Sequence, residues 1–163
     1  VRAHPTILHP DTVESALAHL QSTDPVMRRL IPVVGPFRLE LKRGRFEMLV
    51  RSIISQQIST SAARSIRLRL QRTLSGRITA ERLAAADEAT LRSAGLSSQK
   101  RRYLSDLAGK VVANEVRLKH LHELDDAAVI EELTRVKGIG EWTAQMFLMF
   151  CLGRADVFPH GDL

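Results

Sequence analysis

An all-α fold is predicted, on three observations. Apolar residues recur at helical spacing through most of the chain, residues that cap or close helices punctuate those stretches, and no persistent period-two alternation marks a sheet. With 163 residues, 44% hydrophobic and 26% charged, the chain has room for one compact domain or two small helical lobes sharing an interface.

The first helix is expected from Asp11 to Leu20, with Asp11 as cap and Val13, Leu17 and Leu20 along one face. Residues 22–44 hold Pro25, Pro32, Gly35, Pro36 and Gly44 and read as an irregular connection. From Phe46, the residues Leu49, Val50, Ile53 and Ile54 form the apolar stripe of a helix that stops at the polar pair Gln56-Gln57. Ser59 caps the next helix, in which Ala62, Ala63, Ile66 and Leu70 share a face and Arg64, Arg67, Arg69 and Arg72 occupy the others; Gly76 closes it. Helices are expected over about 80–85, over 88–94 between the cap Asp87 and Gly95, and over 98–113 through Tyr103, Leu104, Leu107 and Val111. Residues 114–126 read as a linker or edge loop, whose His120 and His122 are solvated rather than metal-bound because no further ligands sit at matching spacing. Asp125 or Asp126 starts another helix that runs to about Arg135.

The charge balance, 24 Lys+Arg against 18 Asp+Glu for a net +6, favours an anionic partner such as nucleic acid. Cys151 is the single cysteine, which excludes an intrachain disulfide, a four-cysteine zinc site and a protein-held iron–sulfur cluster, and points to a reducing compartment. Val1 to Pro5 lacks an apolar signal core, and no apolar run approaches the ~20 residues that span a bilayer. A soluble protein of the cytoplasm, nucleoid-associated in a prokaryote or nuclear in a eukaryote, is expected. The chain opens without Met and stops at Leu163 just after a motif, so a longer natural protein is expected.

That motif is Leu133-Thr-Arg-Val-Lys-Gly-Ile-Gly-Glu-Trp-Thr-Ala144. One helix ends, Gly138 and Gly140 bracket Ile139, and a second helix begins near Glu141. The glycines permit a tight hairpin that can approach another surface closely, with Ile139 anchoring it to the core. The new helix offers unpaired N–H groups and a positive dipole end, which suit a DNA phosphate. Gly-x-Gly alone is weak, but the run Val136 to Ala144, followed by Asp156-Val-Phe-Pro-His-Gly-Asp162-Leu163, resembles the helix-hairpin-helix DNA glycosylase superfamily, in its alkylbase (3-methyladenine glycosylase II) branch. Phe46 to Ser61 and Gly95 to Ala108 are similar to two further segments of those enzymes, so the resemblance covers about residues 45–163.

The resemblance implies one all-α, two-lobed glycosylase domain over residues 1–163, with the hairpin motif at 126–152, the active cleft between the lobes, and further C-terminal helices beyond this chain. It implies a monomer that flips an alkylated purine, such as 3-methyladenine or 7-methylguanine, out of double-stranded DNA and hydrolyses its N-glycosidic bond. Asp162 matches the catalytic aspartate, either stabilising the positive charge that develops on the sugar or orienting the attacking water. Asp156 is then a residue that caps or braces the loop. Trp142 falls where bifunctional relatives carry a Schiff-base lysine, so hydrolysis without strand cleavage is implied, and its ring can attract a cationic base. Trp142, Tyr103 and Gln56 are the expected base-pocket residues, with the opposite strand as the alternative contact for Gln56, whereas Phe147 is assigned to the core with Met146, Leu148 and Phe150.

Gln57 is the expected wedge, although relatives often place a leucine there. Gln57, Lys137, Gly138, Ile139, Gly140 and Thr143 are the expected DNA contacts, with the arginines of 64–72 adding phosphate contacts. Family hairpins also hold a structural Na+ or K+ by backbone carbonyls, which maps to Thr134, Val136 and Ile139. No other cofactor is expected. The alternative is a noncatalytic hairpin module that binds DNA and needs neither Asp162 nor Trp142; a bifunctional glycosylase/lyase is disfavoured by Trp142 and by the missing cysteines.

Overall fold

The computed structural model describes residues 8–161, and every regular element among them is helical. Nine α-helices follow in order: α1 Pro10–Thr23, α2 Pro25–Val34, α3 Arg45–Ser55, α4 Thr60–Thr73, α5 Ala80–Ala84, α6 Glu88–Ser93, α7 Ser98–Val112, α8 Asp126–Thr134 and α9 Glu141–Phe147. A 3-10 turn, Leu121–Glu123, precedes α8, and α9 runs on into a π-helical turn, Leu148–Leu152.

Local chemistry sets most of the helix starts. The side chains of Ser59, Thr79, Asp87, Ser97 and Asp125 each accept the backbone N–H three residues ahead, satisfying one donor the helix leaves open. Helix α1 departs from expectation: it begins at Pro10 with His9 in the capping position, and Asp11 lies in the first turn. There its carboxylate complements the helix dipole instead of capping.

The larger correction is α2, within the stretch expected to be irregular. Asp24 Oδ1 accepts from the N–H groups of Val26 and Met27 at 2.7 and 3.1 Å, and Pro25 occupies the first turn, where its missing N–H costs nothing. Pro32 is carried inside the helix, which ends at Gly35 with φ +86°.

The buried core lies in the part of the chain from Leu49 to Leu152, built around Leu49, Ile53, Leu70, Leu104, Leu133 and Phe147. Neither α1 nor α2 buries a residue; they pack on each other. Two backbone bonds tie their flanks to the core lobe, Leu8 N–H to the Gly153 carbonyl at 2.6 Å and Lys42 N–H to the Phe150 carbonyl at 2.8 Å. Residues 114–126 are a packed connection rather than a loose edge, because Val116, Leu118 and Leu121 are buried. His120 and His122 are exposed, and no cluster of metal-ligating side chains occurs among the described residues.

Candidate functional site

The hairpin between α8 and α9 is closed by two backbone bonds, Val136 N–H to the Leu133 carbonyl and Ile139 N–H to the Val136 carbonyl, both 3.1 Å. Ile139 is buried, as its anchoring role requires. Gly138 has φ +83°, and a Cβ there would run into the Tyr103 ring, so backbone conformation and space both demand glycine. Gly140 differs: its φ is −95°, and a Cβ would meet nothing within 4 Å. It leaves a bare face beside the start of α9, where the first intrahelical bond runs from Ala144 N–H to the Gly140 carbonyl. The N–H groups of Glu141, Trp142 and Thr143 therefore have no partner within the helix.

Asp106 on α7 fixes the hairpin's entry. Its Oδ2 accepts from Lys137 N–H at 2.8 Å and from Lys110 Nζ at 2.7 Å, and Lys110 also donates to the Arg135 carbonyl. Burial is the largest single influence on the Asp106 carboxyl and acts upward. The Lys110 and Lys137 hydrogen bonds and the charges of both lysines together outweigh it and hold the group below its ordinary range.

The polar turn after α3 is held from two sides. Gln56 Nε2 donates to the Gly138 carbonyl at 2.7 Å, joining the turn to the hairpin. From α7, Lys100 Nζ donates to the Ile54 and Gln56 carbonyls at 2.7 and 2.8 Å. These are orphan carbonyls at the end of α3, and burial lowers the Lys100 ammonium from its usual range. Gln57 is left exposed with φ +57°, at the tip of the turn.

Two concavities meet this turn. A groove of about 580 Å³ is bounded by Gln56, Gln57, Lys100, Tyr103 and the hairpin residues 138–140. A second cavity, also about 580 Å³, is lined by Met48, Ser52, Gln56, Trp142, Met146 and Phe150, among others. Trp142 is 45% exposed, so its ring is a cavity wall and not core packing. Lys42 and Arg51 reach the same cavity, but both side chains are exposed and water screens their charge.

Several residues fall elsewhere than expected. Tyr103, expected in the base pocket, covers Gly138 in the hairpin groove and accepts a hydrogen bond from Gln99. Thr143, expected on the DNA surface, is buried and lines the cavity; one position past Trp142, the helical turn carries its side chain inward. Met146 and Phe150 line the cavity, while Phe147 and Leu148 are fully buried in the core. Lys137 is exposed beside the hairpin. Asp162 lies outside the described residues. The loop toward it is braced by Arg154, only 3% exposed, whose Nη2 donates to the Leu124 carbonyl at 2.8 Å and whose Nε lies 3.2 Å from Asp126. Burial raises the Asp126 carboxyl and lowers the Arg154 guanidinium, so desolvation outweighs their attraction. Asp156, expected to brace this loop, is exposed.

Lys100, Asp106 and Arg154 have no local signature. Each acts on carbonyls or N–H groups 30 or more residues away along the chain, a relation that periodicity does not encode.

The chain belongs to the HhH-GPD superfamily of base-excision DNA repair proteins, whose family model matches residues 50–163. Among individual relatives, it is 34% identical over 158 residues to DNA-3-methyladenine glycosylase 1 of Schizosaccharomyces pombe, covering 93% of this chain and 69% of the relative. The crystal structure of a DNA-3-methyladenine glycosidase from Bacillus halodurans superposes with a TM-score of 0.80 at 36% identity, over 88% of this chain and 67% of that one. The S. pombe 3-methyladenine DNA glycosylase in complex with abasic DNA gives 0.78 at 34% identity, over 91% and 75%.

Proposed function

We propose that this protein is a monofunctional DNA glycosylase that excises alkylated purines, of the DNA-3-methyladenine glycosylase II type. One observation carries the reading: a half-exposed Trp142 walls a cavity large enough for a purine, one helical step from the hairpin and across from the turn that presents Gln57. Trp142 lies outside the buried core. A ring facing a cationic methylated base contributes about 0.5–2 kcal/mol that a neutral base does not receive.

In this reading the hairpin N–H groups hold a phosphate of the lesion strand, Gln57 enters the stack, and the extruded base lies between Trp142, Met146 and Phe150. The C1′–N bond breaks, the methylated base leaves as a neutral molecule, and water adds at C1′ with loss of a proton. Asp162 stabilises the positive sugar or orients that water. The site's Trp142 supplies no amine for a covalent lyase route. A monovalent cation suits the neutral carbonyl donors of Thr134, Val136 and Ile139, and Val136 keeps a lone pair after accepting the Ile139 N–H. Such an ion would add fixed positive charge beside the phosphate and nothing redox-active.

The test is release of free base from methylated duplex DNA at low salt, by the native protein and by Asp162→Asn. Native protein is expected to liberate 3-methyladenine and leave an unbroken abasic strand, while the variant binds without excision. Binding by both with release by neither would leave a noncatalytic hairpin module.

A further inference from the structure

Between α3 and α4 runs a groove of about 620 Å³ lined by Lys42, Arg43, Arg51, Arg64 and Arg67, with Glu47 its one acid. Four neighbouring arginines are committed to structure. Arg45 donates to the Leu118 and Lys119 carbonyls, Arg69 to Ala94, Arg82 to Leu74 and Ser75, and Arg101 to Leu96 and Glu88. None of the five groove cations is in an ion pair among the described residues. Five cations lining one groove, none of them in an ion pair among the described residues, give a positive field that suits an external polyanion. Thr60, at the N-terminus of the fourteen-residue α4, lines the same groove, where the helix dipole adds to the positive field.

The groove's position identifies the polyanion. It shares Lys42, Met48, Arg51 and Ser55 with the Trp142 cavity. The polar turn forms the ridge between it and the hairpin groove, with Gln56 and Gln57 on the hairpin side and Ser55 and Ile58 on the basic side. A wedge that enters a duplex leaves one strand on each side of itself. On the reading of this turn as that wedge, the hairpin holds the lesion strand. We infer that the α3–α4 groove binds the phosphates of the complementary strand, through Arg51, Arg64 and Arg67 with Lys42 and Arg43.

The test measures binding of the protein to a duplex holding a stable abasic analogue, with a patch of uncharged methylphosphonates on one strand or the other. Native protein is compared with the double variant Arg64→Ala, Arg67→Ala, whose folding is checked by circular dichroism. The variant should show a salt slope, log K against log salt, shallower by roughly 1.8, from ~0.9 per phosphate lost, and an affinity lower by more than tenfold at 0.1 M salt. A complementary-strand patch should weaken native protein more than the variant, which keeps Lys42, Arg43 and Arg51, whereas a lesion-strand patch should weaken both equally. Coupling of the variant to the lesion-strand patch, or to neither patch, overturns the strand assignment while leaving the glycosylase reading standing. Absence of any preference for the abasic duplex over undamaged duplex overturns that reading and this inference together.

Discussion

Lys100 is the residue on which the site's geometry turns. Its ammonium gives up water to bond two carbonyls at the end of α3, and those carbonyls belong to the segment that presents Gln57 and directs Gln56 to Gly138. Lys100 Nζ bonds backbone carbonyls; in the proposed function it positions the residues that meet the DNA. Replacing it by Met keeps the stem and removes both bonds, costing about 1–3 kcal/mol of stability for carbonyls left unpaired. A structural role alone would stop there. On the proposed reading of the turn as the wedge, Lys100→Met should lower single-turnover excision from methylated duplex by on the order of a hundredfold, with the affinity for DNA already abasic changed far less. Fluorescence of a 2-aminopurine beside the lesion reads the missing flip directly, and wild-type excision in a variant with reduced stability would count against the positioning role. None of this is visible at the residue itself, where Lys100 is one of three consecutive cations at the start of a helix.

At the scale of elements, legibility depended on whether the deciding chemistry was local. The helices from α3 onward were readable because the starts of α4 to α8 are each made by a side chain three residues from its target, those of α3 and α9 follow a glycine, and the apolar stripes face one core. The α2 helix was not readable, since three prolines and a glycine signal a break unless Asp24 and Pro25 are recognised as a start. The hairpin was legible as a pattern, yet its two glycines serve different ends. Gly138→Ala meets a positive φ and the Tyr103 ring at once, and each should cost about 1–3 kcal/mol. A lowered urea midpoint in that variant should be partly restored when Tyr103→Ala is added, because that removes the clash and leaves the backbone strain. A double variant no more stable than Gly138→Ala would mean that the ring yields freely and that strain alone requires the glycine.

The whole molecule divides unequally between a core that carries the site and a helical pair that does not. The hairpin, the polar turn, the Trp142 wall and the α4 arginines all rest on elements packed around Leu49, Ile53, Leu104 and Phe147. Helices α1 and α2 bury nothing and leave Val26, Leu30, Val33, Val34, Phe37 and Leu41 exposed along their length and the strap that follows. The sequence showed α1 and the core helices alike as amphipathic segments and α2 only as part of an irregular connection; which of them shares a core is decided by contacts between distant parts, such as Gln56 with Gly138, that no local pattern contains. The division sets the order in which the 163-residue chain should open. Hydrogen exchange tracks local opening, and segments with few buried apolar contacts open at a fraction of the global free energy. Amides of α1 and α2 should therefore exchange well before those of α3, α7 and α8, with the buried Leu49, Leu104 and Leu133 turns exchanging last. Adding abasic duplex should slow exchange in the polar turn, the start of α4 and the hairpin while leaving α1 and α2 unchanged. Equal protection across both sets would mean that the α1–α2 pair folds as one cooperative unit with the core, and protection of α1 on DNA binding would place the nucleic acid on a face that none of the site's cations occupy.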